Sequence, residues 1–268
     1  MSDTNGTTIR PRGISKQLQD IMRSTSNHMQ RVTWLFKSIT PYMESLPKSK
    51  EGIMKARRAI SEILRAHIVP LHAILEDGLR EIIRLKLYEA PYEALSTIPL
   101  VGASPAGQLK KIGPEDLARH RGKTIDTLIK ESVDEFLDRT SFSSTQIISG
   151  LLEKVGIQLS SLREHFTTLD AMISRRHQIV HRADRIGGLD EWKIPSINPN
   201  DVSKWMLTVF VCIIETSILA RPAEEQAAMR HIVDEDKNLQ EIIKGLRQDL
   251  KKPKEADEGT SNLGSSKN

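Results

Sequence analysis

The sequence predicts an all-α protein, and three observations carry that expectation. Leu, Ile, Ala, Glu, Lys and Arg dominate, while aromatic residues make up only 4% and β-branched runs are few. Apolar residues recur at three- and four-residue spacings over long stretches, most clearly at Ile60, Ile63, Leu64, Ile68, Leu71, Leu75, Leu79, Ile82 and Ile83. With 38% hydrophobic and 28% charged residues in 268, the chain is a soluble globular type, and the simplest count is one domain with appended helices.

Each element follows in order. Residues 1–12 read as disordered, and 13–48 as an N-terminal helical extension. Its stripe is weakly amphipathic, with Leu18, Ile21, Met22, Val32, Leu35 and Ile39, and Pro41 and Pro47 close it. A long helix is expected from about Lys50 to Tyr88, with a kink at Pro70, where proline removes a backbone donor. Residues 91–113 hold Pro91, Pro99, Pro105 and three glycines and read as a loop or insertion. A helix follows from about Gly122 to Asp138, with Thr124, Leu128, Val133 and Leu137 among its contacts. Ser143 or Ser144 caps a short helix ending between Gly150 and Gly156. The next helix, about Ser160 to Arg182, sets Leu162, Phe166, Leu169, Ile173 and Val180 on one side. After a loop with Gly187, Gly188 and Pro195, Asn198-Pro199-Asn200-Asp201 is a strong helix start. The stripe Val202, Trp205, Met206, Val209, Phe210 and Ile213 follows it. These segments, 49–222, form the main domain. Pro222 then opens a charged helix over 223–250, and 251–268 reads as a disordered tail.

Composition bounds the partners. With 39 Lys and Arg against 35 Asp and Glu, the net charge of +4 tolerates an anionic partner without demanding one. Cys212 is the sole cysteine, so neither an internal disulfide nor a cysteine-based zinc site is available, and its apolar helical setting suits a buried structural thiol. Met1 to Gly13 lacks the apolar segment of a secretory signal. Trp205 to Ala220 is interrupted by Thr208, Glu215 and Thr216 and is shorter than the ~20 residues a bilayer span needs, so it reads as a core helix. The expectation is a cytoplasmic protein with no membrane partner.

The chemistry concentrates in Ser174-Arg175-Arg176-His177-Gln178-Ile179-Val180-His181-Arg182-Ala183-Asp184. A basic cluster at a helix C-terminus is favoured on electrostatic grounds alone, by ~0.3–1 kcal/mol per cation. A metal site at His177, His181 and Asp184 has suitable spacing, but Arg176, Arg182 and Arg185 crowd it with like charge, and no glutamate sits beside either histidine. His72 and Glu76 share a similar spacing and read as the polar edge of a core helix. Metal-free RNA cleavage fits better. There the ribose 2′-hydroxyl attacks the adjacent phosphate, a base takes its proton, an acid protonates the leaving 5′-oxygen, and a cation stabilises the phosphorane. Histidine suits both proton transfers and arginine the phosphorane. Arg176 and His181 lie ~7.5 Å apart along an ideal helix axis and on different faces. Two copies about a two-fold axis would complete the site, with Arg175, Arg182 and Arg185 on flanking phosphates.

Arg176-x4-His181, set in Arg-Arg-His-Gln-Ile-Val-His-Arg-Ala-Asp, resembles the signature of the HEPN superfamily, and more closely its prokaryotic RiboL-PSP-HEPN branch. Leu64 through Glu81 resembles the family's first long helix, Ser141 through Ile157 its middle section, and Ile197 through Val202 with Trp205 the entry to its last helix. The resemblance covers about residues 50–220. It implies a helical bundle that dimerises through its motif helices. It also implies a metal-independent endoribonuclease without cofactor, commonly a toxin or defence effector held in check by an antitoxin or other regulatory protein. Arg176 and His181 match the catalytic pair, His177 takes the assisting polar position after the arginine, and an acidic residue of the first long helix, Glu76 or Asp77, orients the arginine. Some HEPN domains are instead silent modules that bind RNA, a nucleotide or a partner protein; intact Arg176 and His181 favour activity.

Overall fold

The described residues of the computed structural model are 13–39, 41, 45, 49–102, 113–186 and 194–251. Among them are ten helices and no strand: α1 (Gly13–Ser38), α2 (Lys50–Tyr88), α3 (Tyr92–Leu95), α4 (Pro114–Ala118), α5 (Ile125–Arg139), α6 (Thr145–Lys154), α7 (Arg163–Arg182), α8 (Pro199–Leu219), α9 (Ala223–Glu235) and α10 (Lys237–Lys251). The terminal segments 1–12 and 252–268, and the loop residues Gly187 and Gly188, lie outside the described residues.

Helices α2 and α8 form the spine. α2 begins at Ser49, whose side chain accepts the Gly52 N–H at 3.1 Å, and continues through Pro70 as one element, with the proline on its exposed side. Leu64, Ile68, Leu71, Leu75, Leu79, Ile82 and Ile83 are all fully buried. Ile60 is only partly buried and Ile63 is exposed at the edge of the stripe. α2 crosses α8 closely at Gly78, where an added Cβ would come within 3.0 Å of the Ile213 side chain. Asn198 caps α8 by accepting the Asn200 N–H at 2.9 Å, with Pro199 in the first turn. α8 is long and apolar enough to cross a membrane by length and composition, but most of it is buried inside the fold. Cys212 lies there without exposure, and burial pushes its thiol up to about 12.

The terminal helices share this core. α1 packs on both α2 and α8, burying Leu18, Met22, Met29, Val32, Phe36 and Ile39, while Leu35 and Trp34 face outward. Arg221, 4% exposed, donates to the carbonyls of Ser217 and Ser15 and so ties the end of α8 to α1. The expected single helix over 223–250 is two. Asp236 is extended (φ −70, ψ 103), and its carboxylate accepts the N–H groups of Asn238 and Leu239 at 2.9 and 3.1 Å. That capping outcompetes continuation of the helix. α10 then turns back to bury Leu239, Ile242 and Leu246 against α8.

Local capping also explains smaller differences. α5 starts at Ile125 because Thr124 accepts the Thr127 N–H at 3.1 Å, after Gly122 at φ +82. Ser144, not Ser143, caps α6.

Candidate active site

The motif helix α7 lies against α2, running opposite to it: Arg65 meets Asp184 near the end of the motif, and one face along, His72 senses the charge of Arg176. Two distinct environments result.

The first is an ionic knot just beyond the C-terminus of α7. Asp184 is 1% exposed, and its Oδ2 accepts from Arg65 Nε at 2.6 Å and from Arg175 Nη2 at 2.8 Å. Both guanidiniums also donate to the Pro195 carbonyl, at 2.6 and 3.0 Å. The chain reaches this position through two consecutive left-handed residues, Ala183 (φ 48) and Asp184 (φ 60), and the Asp184 N–H closes back on the Gln178 carbonyl at 3.0 Å. The Ala183 N–H donates to the same Gln178 carbonyl, the six-to-one bond that ends many helices, here without glycine. Burial lowers the Arg175 pKa, Asp184 opposes the shift and Arg65 adds to it. Asp184 Oδ1 and Arg175 Nε are buried without a hydrogen-bond partner.

Arg175, expected on flanking phosphates, is therefore corrected to a place inside the knot. Its side chain is 16% exposed and its terminal nitrogen is held by Asp184 and the Pro195 carbonyl. Asp184, the third member of the candidate metal set with His177 and His181, is likewise taken up by Arg65 and Arg175. Among the described residues no three His, Cys, Asp or Glu side chains converge as metal ligands.

The second environment is a cavity of ≈ 570 Å³ between α2, the end of α5, the following loop and α7. Arg176, His177 and Ser174 line it from α7, and His72, Glu76 and Arg80 from α2. Asp138, Arg139 and the loop residues Thr140, Ser141 and Ser143 complete the wall with Asp170. The loop is fastened on several sides. Arg80 donates to the carbonyls of Leu137 and Thr140, at 3.2 and 3.4 Å, and lies over the Phe142 ring at 5.1 Å. Asp170 accepts from the Thr145 N–H at 3.0 Å and hydroxyl at 2.6 Å, joining α6 to α7. Arg84 and Tyr88 hold Asp134 at 2.8 and 2.6 Å, fixing α5 to α2.

Within this wall Arg176 stands apart: its Nε is buried yet has no hydrogen-bond partner. Glu76, the orienting candidate, reaches the same cavity, but its Oε1 accepts from Arg80 at 2.7 Å. Asp77 is exposed and does not line the cavity. His177 is exposed and lines the cavity, and its ring centroid lies 4.5 Å from that of His181. His181 is exposed and sits beyond the cavity rim. Arg182 is exposed and Arg185 half-buried. Val180, expected on the apolar side of α7, is 46% exposed, and Ile186 and Ile194 are each 43% exposed.

His72 is the residue that sequence reasoning placed elsewhere. It is buried, as expected of a core edge, but it also forms part of the Arg176 cavity. Its spacing to Glu76 was visible in the sequence; its apposition to Arg176 depends on helix packing.

No match is found among the curated proteins or among the solved structures. The family model RiboL-PSP-HEPN matches residues 31–220, a span that takes in the last turns of α1, the whole cavity, the motif helix and α8. With its all-helical fold and its Arg176/His181 motif, the chain belongs to the RiboL-PSP-HEPN family, within the HEPN domains, a family of RNases that act on RNA.

Proposed function

We propose that the protein is a metal-independent endoribonuclease that cleaves RNA by 2′-hydroxyl attack, leaving a 2′,3′-cyclic phosphate and a 5′-hydroxyl. The observation that carries this reading is Arg176, whose Nε is buried beside a polar cavity without a partner, in the motif of an RNase family. A guanidinium with unfilled donors is suited to the equatorial oxygens of a phosphorane, where its planar fork binds two at once. In this reading His181, exposed on the next turns, carries proton transfer, and His177, its ring 4.5 Å away, assists. Arg182 and Arg185 extend the basic surface for flanking phosphates.

The active unit in this reading is a cytoplasmic homodimer with the motif helices facing each other. The exposed Val180, next to His181 in the motif, supports it by offering apolar contact there. Its biological role is that of a toxin or phage-defence effector, restrained by an antitoxin or other regulatory protein.

The test is incubation of the purified protein with total RNA, tRNA and single-stranded DNA in EDTA, with analysis of the RNA termini. RNA alone should be cut, because only RNA carries the nucleophile. Activity lost on chelation and restored by a divalent ion would overturn the mechanism. His181→Ala should reduce cleavage about 100-fold or more with the fold retained, and His177→Ala less. A fully active monomer in sedimentation at the assay concentration would remove the dimer.

A further inference from the structure

We propose that the cavity beside Arg176 is a subsite for one ribonucleoside 3′-phosphate unit of the RNA, in which His72 Nδ1 and Glu76 Oε2 receive the ribose 2′-hydroxyl and Arg176 receives the phosphate. The inference rests on the ribonuclease reading above and names the proton acceptor of that site.

The argument begins with the His72 ring. Its Nε2 lies 3.2 Å from the Phe142 carbonyl, which can only accept, so Nε2 carries the hydrogen. The neutral ring then presents a lone pair at Nδ1. That atom faces Glu76 Oε2 at 3.7 Å, beyond hydrogen-bond distance. The other Glu76 oxygen is already filled by Arg80. Two acceptors thus face each other on the cavity wall. Burial, the largest influence, lowers the pKa of the ring, and the charge of Arg176 adds to it, while the Phe142 carbonyl and Glu76 act in the opposite sense.

The remaining charged groups around the cavity have other partners. Asp170 holds Thr145, Asp138 faces Arg84 at 3.5 Å, and Arg139 pairs with Glu135. What is left for a ligand is an acceptor pair, the Arg176 guanidinium and His177. A hydroxyl next to a phosphate on the same sugar satisfies both halves: it donates to the acceptor pair while the phosphate takes the arginine. The volume of ≈ 570 Å³ falls within the range of small-ligand pockets.

In the reaction, the 2′-hydroxyl proton passes to His72 Nδ1 as the O2′–P bond forms. The P–O5′ bond breaks, and the 5′-oxygen takes a proton from His181. The imidazolium so formed would be held at both ends, by the Phe142 carbonyl and the Glu76 carboxylate. Acceptor and donor then reside on different helices, α2 and α7, and the dimer of the ribonuclease reading supplies the donor from its second copy of the motif helix.

The test uses the full chain with adenosine 3′-monophosphate and its 2′-deoxy counterpart, measured by calorimetry and by histidine ring resonances. The ribonucleotide should bind about tenfold tighter than the deoxynucleotide, and it alone should move the His72 resonances. His72→Gln, whose amide can still donate to Phe142, should bring the two nucleotides within about twofold and cut RNA cleavage about 100-fold. Arg176→Ala should weaken both nucleotides alike. Equal binding of the two nucleotides by the parent, or unmoved His72 resonances, overturns the subsite whether or not the variant folds. RNA cleavage at the parent rate by His72→Gln overturns the acceptor role and leaves the ribonuclease reading standing. Discrimination at His72 in a protein that cuts no RNA does the reverse.

Discussion

Arg175 enters a buried ionic knot, where its guanidinium is shared between Asp184 and the Pro195 carbonyl beside a second arginine. Arg176, the next residue, enters the cavity wall, where its Nε meets no acceptor. The two side chains have identical chemistry and leave the same helix about 100° apart. The difference between them is the company that α2 provides on each side. Opposite Arg175 stand Arg65 and the chain after α7; opposite Arg176 stand His72 and Glu76. One arginine holds the end of the motif helix in place, and the other is left available to a ligand. A cluster of basic residues at a helix C-terminus therefore divides into structural and chemical members, and the division is made by what the neighbouring helix carries.

The largest expected effect comes from removing the centre of the knot. Asp184→Ala should cost about 3 kcal/mol of stability, because it strips Arg175 of its counter-charge and leaves Arg65 with Glu62 alone, at 3.0 Å. Chemical denaturation of the variant against the parent measures it; a loss under about 1 kcal/mol would mean that water or the Pro195 carbonyl suffices for both arginines.

The sharpest form of the comparison exchanges the two neighbours. Arg175→Ala should lower stability by about 2–3 kcal/mol and cut activity only through the fold. Arg176→Lys should keep stability within about 0.5 kcal/mol while reducing cleavage about 100-fold, since lysine retains charge but loses the fork. Paired melts and cleavage assays at one temperature decide it. If both substitutions move stability and activity together, the division between knot and cavity does not hold.

Acid tests the buried histidines of α2, of which His72 lines the cavity and His67 packs against Phe36. His67 and His72 both have pKa values lowered from 6.5, chiefly by burial. A group that prefers to be neutral when folded takes up its proton more readily when unfolded. Stability should therefore be full above pH 6.5, fall as the pH drops below it, and level off below the folded-state pKa values. Each pKa unit of difference is worth about 1.4 kcal/mol. Melting curves from pH 8 to pH 5 measure the slope, and His72→Gln should flatten part of it.

The smallest effect is a gain. Ala183 sits at φ 48 without the freedom of glycine. Ala183→Gly should raise stability by up to about 1 kcal/mol by relieving the left-handed backbone, with cleavage unchanged. A loss in the melt would mean that the added freedom of the unfolded chain outweighs the relief.

Helix content was legible in the sequence because the apolar spacing of α2 and the cap of α8 are local signals. Ile68, Leu71, Leu75 and Leu79 repeat on one helical face, and Asn198-Pro199 starts a helix wherever it lies. The break at Asp236 was not read because a charged run and a capping aspartate look alike until the side chain is seen to accept two N–H groups.

The motif was equally local. Arg176, His177 and His181 stand within one helix, and their order in the chain carries the family likeness that the match over residues 31–220 shows. What each arginine does is not local. Arg65 and Pro195 reach Arg175 from distant parts of the chain, and His72 and Glu76 reach the Arg176 cavity from α2. Sequence determined the helices and the identity of the chemical groups, because backbone hydrogen bonding and apolar periodicity act over a few residues. Tertiary structure alone decided which guanidinium is neutralised and which is left open, because electrostatic pairing depends on distances of a few ångströms that only the packing of α2 against α7 sets.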